Sequence, residues 1–158
     1  MLELKAHINQ MHIATKSSKI ITSSKKQLEE LANKICAKVK QGNTLFLFGE
    51  MGVGKTLFVK YFINCLQQKY NQELTEVTSP TFNIMNEYIV KDLLIKHYDF
   101  YRVKSPNELK NLNLFDKKEK AISLVEWPEI IKKKPNDLIE LYFKYENEYK
   151  DRFIEINN

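Results

Sequence analysis

Only two cysteines, two arginines and four glycines occur among the 158 residues of this chain, and no long apolar run interrupts it. The densest apolar stretch, Leu45-Phe46-Leu47-Phe48, is strand length and far short of the roughly 18 residues a transmembrane helix needs. A membrane span is therefore not expected. Cys36 and Cys65 lie far apart in sequence and match neither a disulfide framework nor a paired metal-ligand spacing, which points to a reducing compartment such as the cytoplasm. Arg102 and Arg152 are the only arginines, so the net charge of +5 is carried almost wholly by lysine. A modest lysine excess permits nucleic-acid contact without arguing for it, because lysines ordinarily form a solvated surface. What is present is ordinary for a folded domain. Apolar residues at 43% and charged residues at 28% supply a core and exclude wholesale disorder.

Organisation along the chain follows from periodicity. Residues 1–16 are polar and without period, and read as a flexible N-terminal arm with either Met1 or Met11 as its start. No apolar core marks the arm as a targeting peptide, and Glu3 is acidic. Residues 17–158 read as one domain without repeats or linkers. Ser18 to Thr22 suggests a short strand. Ser23-Ser24 offers an N-cap, and Leu28, Leu31, Ile35 and Val39 recur at helical spacing toward Gly42. Thr44 to Phe48 reads as a buried strand, Gly49 to Thr56 as a loop, and Leu57 to Lys69 as a helix. Glu76-Val77-Thr78, Phe82 to Val90 and Leu93 to Phe100 then read as strands, with a tight turn at Lys91-Asp92. A short helix follows from Ser105 to Leu112. Ala121 to Val125, Leu138 to Tyr145 and Arg152 to Ile156 complete the strands. This order predicts an α/β domain with a central, mostly parallel sheet, flanking helices and an antiparallel portion.

Three of the four glycines fall within six residues. Gly49-Glu50-Met51-Gly52-Val53-Gly54-Lys55-Thr56 satisfies G-x-x-x-x-G-K-[ST]. Glycines let successive backbone N–H groups curl around phosphate oxygens, and the helix that follows adds its positive N-terminal end. In such a loop Lys55 neutralises the β- and γ-phosphates and Thr56 ligates Mg²⁺. A glycine turn between strand and helix would give the same letters, but here a strand precedes and a helix follows, so nucleotide binding is the expectation. No glycine follows Gly54 and no N/T-K-x-D occurs, which removes the guanine-switch signatures and favours ATP.

A phosphate loop needs carboxylates to hold Mg²⁺ and orient water, and strand ends beside the loop are the usual source. Two apolar runs end in acids: Ile122 to Glu126, and Leu93 to Asp99. Trp127 either shields such a site or belongs to the core. His97 beside Asp99 makes no metal site and reads as structural. Val77-Thr78-Ser79-Pro80-Thr81-Phe82 is either a plain turn or a switch loop in which Ser79 or Thr81 senses the γ-phosphate or its metal.

Taken together, GEMGVGKT at 49–56, SPTF at 79–82, Asn86-Glu87-Tyr88, His97-Tyr98-Asp99-Phe100-Tyr101-Arg102 and Glu126-Trp127-Pro128-Glu129 resemble the TsaE family, bacterial phosphate-loop ATPases of tRNA threonylcarbamoyladenosine formation. Order and spacing agree from about residue 20 onward. The resemblance implies one α/β domain and an Mg²⁺-dependent ATPase, weak alone and dependent on TsaD and TsaB. Those partners would modify adenosine 37 of tRNA, with tRNA engaged indirectly. It implies a nucleotide site over Gly49, Glu50, Met51, Gly52, Val53, Gly54, Lys55, Thr56, Leu57 and Trp127. Mg²⁺ would be handled by Thr56, Asp99 and Glu126, with Glu126 and Lys55 catalytic. Ser79 and Thr81 would form the switch loop, and Arg102 would either stabilise charge or meet a partner. Three departures stand out: Leu57 replaces a second hydroxyl, Glu50 lengthens an acid, and Asn113 stands where many members carry glycine. The rival reading is a small-molecule or nucleoside kinase, which generally brings arginines from a lid; two arginines make that weak.

Overall fold

Apolar residues without polar alternation dictate strands buried on both faces, and Thr44–Phe48 shows the consequence. In this strand, β2, Leu45 and Leu47 enter one hydrophobic cluster and Phe46 enters another on the opposite face. The computed structural model describes residues 18–116 and 118–157; the arm expected at 1–16 lies outside the described residues. Around β2 the sheet runs β1-β7-β6-β2-β5-β4-β3, with β1 Ser18–Ile21, β3 Met85–Val90, β4 Leu93–Asp99, β5 Ile122–Glu126, β6 Leu138–Glu146 and β7 Asp151–Asn157. The four central strands β6, β2, β5 and β4 are mutually parallel. The outer strands β1, β7 and β3 pair antiparallel. The mostly parallel sheet with an antiparallel portion is thus as the sequence predicts.

Helix α1 (Lys25–Cys36) begins where Ser24 and Gln27 form a capping box, each side chain bonding the other's backbone N–H. Its apolar stripe of Leu28, Leu31, Ala32 and Ile35 is buried against α2 (Lys55–Lys69), whose Phe58, Val59, Phe62 and Ile63 are fully buried. Both α-helices share one face. The other face is closed by the smaller cluster of Phe46, Tyr98, Phe100, Leu109 and Val125, with a 3-10 helix at Pro106–Leu112 above it.

Several boundaries differ from the periodic reading. Residues 76–78 form no strand, and β3 begins at Met85 rather than Phe82. Pro80 is the cause: its carbonyl accepts the N–H groups of Asn83 (3.0 Å) and Ile84 (2.6 Å), and Ile84 takes φ +66°, so the chain turns instead of extending. The first helix stops at Cys36, where the chain tightens and the Lys38 N–H bonds to the Ile35 carbonyl three residues back. The helix expected before Leu112 is 3-10 rather than α. Cys36 and Cys65, remote in sequence, meet across α1 and α2 as free thiols. Burial first, then Cys65 beside it, pushes the Cys36 thiol well above its usual range. Among the described residues no helix is long and apolar enough to cross a membrane.

Candidate nucleotide site

The parallel arrangement brings the C-terminal ends of β2, β4 and β5 side by side. Register places Asp99, last residue of β4, opposite Glu126, last residue of β5, and Glu126 opposite Leu47 of β2. Both carboxylates therefore border the loop that leaves β2 at Phe48 and enters α2 at Lys55. Side-chain alternation puts Ile95 and Ile122 in the cluster beneath α1 and α2, so His97, Asp99 and Glu126 point to the same face.

Glycine is required in this loop for two different reasons. A Cβ on Gly49 would lie 2.5 Å from the Phe143 carbonyl oxygen, a collision with β6 backbone. Gly54 is the N-cap of α2 at φ +116° and supplies no side-chain cap. The first-turn N–H groups of α2, which no helix pairs internally, are consequently left to an anion. Lys55 is buried, and its ammonium donates to the carbonyls of Gly49 (2.6 Å) and Glu50 (2.8 Å), curling the loop around itself. Burial lowers the Lys55 pKa, against opposing pulls from Glu126, Glu129, Asp99 and Glu50 in that order. The Trp127 ring lies 4.0 Å from this ammonium and 4.9 Å from the Tyr101 ring. Trp127 holds φ +57°, an uncommon backbone state for a bulky residue that turns its ring back over the loop.

Hydrogen bonds hold three of the four carboxylate oxygens on the acidic side. Thr56 donates its hydroxyl to Glu126 Oε1 at 2.8 Å, and His97 Nε2 meets the same oxygen at 2.9 Å. Asp99 Oδ2 accepts from Ser79 (2.5 Å) and Thr81 (2.6 Å), while Oδ1 accepts the Tyr101 N–H at 2.9 Å. Asn86 donates to the Thr78 carbonyl at 3.3 Å, tethering the Ser79–Thr81 loop to β3. Lys55, Asp99, Glu126 and His97 are at most 4% exposed. Two buried carboxylates and a threonine hydroxyl around one lysine form a hard-oxygen set that suits Mg²⁺ bound together with phosphate oxygens.

Of the residues singled out by sequence, the structure gathers Gly49, Gly52, Gly54, Lys55, Thr56, Asp99, Glu126, Trp127, Ser79 and Thr81 around this end of the sheet. Others stand apart. Val53 is buried under the loop, Glu50 and Met51 are exposed on it, and Leu57 packs against the core. Arg102 stacks its guanidinium 4.2 Å from the exposed Phe82 ring. Two neighbours of the site were not placed there from the sequence. His97, read as structural, is buried with its Nε2 against Glu126 Oε1. Arg152 of β7 comes beside Gly54, its Nη1 3.9 Å from where a Cβ there would sit. A buried imidazole two residues before a strand-end acid carries a weak signal for the first, since both share one face; nothing local signals the second.

A family model described as threonylcarbamoyl adenosine biosynthesis protein TsaE matches residues 22–154. The chain is 37% identical to the tRNA threonylcarbamoyladenosine biosynthesis protein TsaE of Rickettsia bellii, over 81% of this chain and 87% of that protein. It is 34% identical to the protein of the same name from Aquifex aeolicus, over 84% of this chain and 92% of that one. The crystal structure of Bacillus subtilis YdiB superposes with a TM-score of 0.70 at 26% identity, covering 92% of this chain and 87% of that one. Matched along most of its length in sequence and in fold, the chain belongs to the TsaE family of threonylcarbamoyl adenosine biosynthesis proteins.

Proposed function

We propose that the chain is an Mg²⁺-dependent ATPase whose turnover supports formation of N6-threonylcarbamoyladenosine at position 37 of tRNA, acting on a TsaB–TsaD pair in the cytoplasm. The observation that carries the reading is the convergence of Lys55, Thr56, Asp99 and Glu126 at one end of the parallel strands, beside an uncapped helix N-terminus. In this reading the loop amides from Gly52 to Thr56 bind the phosphates, and Lys55 exchanges the Gly49 and Glu50 carbonyls for phosphate oxygens. Thr56, Asp99 and Glu126 would hold Mg²⁺, which would supply neutralisation of phosphate charge. Glu126 accepts the proton of the attacking water, and His97 holds that carboxylate in place from Nε2. Trp127 covers Lys55 and keeps bulk water from the reacting phosphate. Ser79 and Thr81 release Asp99 when nucleotide arrives, which makes their loop the element that reports nucleotide state to a partner.

The test is ADP release from Mg-ATP by the chain alone and with TsaB and TsaD, without any small-molecule acceptor. Slow turnover alone that rises with the partners is the expected result. No turnover under either condition overturns the ATPase reading and directs attention to a kinase acceptor.

A further inference from the structure

The sheet face turned away from α1 and α2 is apolar across most of its width but polar along one row. Strand register sets Lys96 of β4 beside Ser123 of β5, and Ser123 beside Thr44 of β2; all three are buried. Two residues further along β4, on the same face, Tyr98 is fully buried and its hydroxyl has no hydrogen-bond partner. An apolar layer gains nothing from covering the Tyr98 phenol, which loses water without a hydrogen bond in return, beside a lysine and two small hydroxyls.

These four residues line a cavity of about 920 Å³, near the upper end of the roughly 300–1,000 Å³ usual for small-molecule sites. Its walls are apolar, formed by Leu109, Leu114, Phe115, Ile130 and Ile131. Phe115 stands at φ +63°, a backbone state rarely held by a bulky side chain without local purpose. The rim is cationic. Lys110, Lys120, Lys132 and Lys133 are exposed there and form no ion pair among the described residues. Lys96 differs, being paired with Glu119 and with Glu87 at 3.6 Å. Asp116, Glu119 and Asp137 also border the cavity but are outnumbered by the lysines. The length of β2 separates the Thr44 end of this space from the phosphate loop, since Thr44 opens β2 whereas the loop follows its last residue.

We propose that this cavity is a second ligand site, for a small organic anion with a flat apolar body, of the aryl phosphate or aryl carboxylate class. The ring lies against Leu109, Phe115 and Ile131, a polar ring substituent meets the Tyr98 and Ser123 hydroxyls, and the anionic group sits among the rim lysines. The site is independent of nucleotide hydrolysis.

The probe is 5-hydroxy-1-naphthyl phosphate, whose ring hydroxyl is the polar substituent facing Tyr98 and Ser123, titrated calorimetrically into the full chain held in excess Mg-ADP so that the phosphate loop is filled. Saturable 1:1 binding is expected. The exposed-site double variant Lys132→Gln/Lys133→Gln should weaken it about tenfold or more, because two cations facing one dianion are removed. Tyr98→Phe should weaken it severalfold while leaving the melting temperature unchanged or raised, since it deletes only an unpartnered hydroxyl. Inorganic phosphate, lacking the ring, should bind at least about tenfold more weakly. Absence of saturable heat, binding indifferent to all three substitutions, or phosphate binding as tightly as the naphthyl ester would each overturn the proposal.

Discussion

Glu126 receives both of its side-chain hydrogen bonds on one oxygen, Oε1, from Thr56 and His97. His97 Nδ1 is buried without a partner, so the Nε2 contact is the ring's one side-chain bond and orients the carboxylate. Glu126→Gln should keep Mg-ATP binding and lower hydrolysis about 10²–10⁴-fold, the usual range for a lost proton acceptor; unchanged turnover would remove Glu126 from the chemistry. For His97→Leu, kcat should fall about 10–100-fold with KM for ATP unchanged, and His97→Gln, which keeps a donor at a similar reach, should recover part of the loss. Steady-state kinetics separates this from a structural role, which would move stability and KM together. Lys55 carries a stability consequence of the opposite kind. Its pKa is lowered in the folded state, so its charged form costs stability at neutral pH, and that cost fades as pH rises through the lowered pKa toward 10.5. Without ligand, Lys55→Met should therefore unfold at higher denaturant than the parent near neutrality, with the gap closing at alkaline pH. Urea melts across that range would show it.

Elements differ in how far they announce themselves. Helix α1 is written locally: Ser24, Gln27 and the Leu28, Leu31, Ile35 stripe specify its start and its buried face. Ser24→Ala should cost about 1 kcal/mol and lower the melting temperature by about 2–4 °C, without touching the nucleotide site; calorimetry measures both. The hairpin is equally local, with Lys91 at φ +54° between β3 and β4. Residues 76–84 were less legible because their order comes from elsewhere. Ser79 and Thr81 are held by Asp99, roughly twenty residues on, and that contact competes with any strand the β-branched residues favour. Asn113 is instructive in another way. It caps the 3-10 helix at φ +44°, a left-handed state that asparagine fills about as readily as the glycine expected there.

At the scale of the molecule, nucleotide binding and folding are linked, because loop amides, Lys55 and two strand-end acids converge only in the folded sheet. At about 100 times its dissociation constant, Mg-ADP should stabilise the fold by about 2.7 kcal/mol, and Lys55→Met should abolish that gain. Differential scanning fluorimetry with and without Mg²⁺ would measure it, and a gain undiminished in the variant would sink the role given to Lys55.

The sequence by itself determined the strand–loop–helix of residues 44–69, the phosphate-binding letters, and the two acids that end apolar strands. Those features are local, fixed by glycine dihedrals, caps and short-range periodicity. Tertiary structure alone decided the rest. It joined Asp99 to Ser79 and Thr81, set His97 on Glu126, turned Trp127 over Lys55, brought Arg152 beside Gly54, and aligned Lys96, Ser123 and Thr44 in one row. Each of these depends on which strands are neighbours and in what register, and parallel pairing between strands far apart in the chain leaves no local trace in either partner.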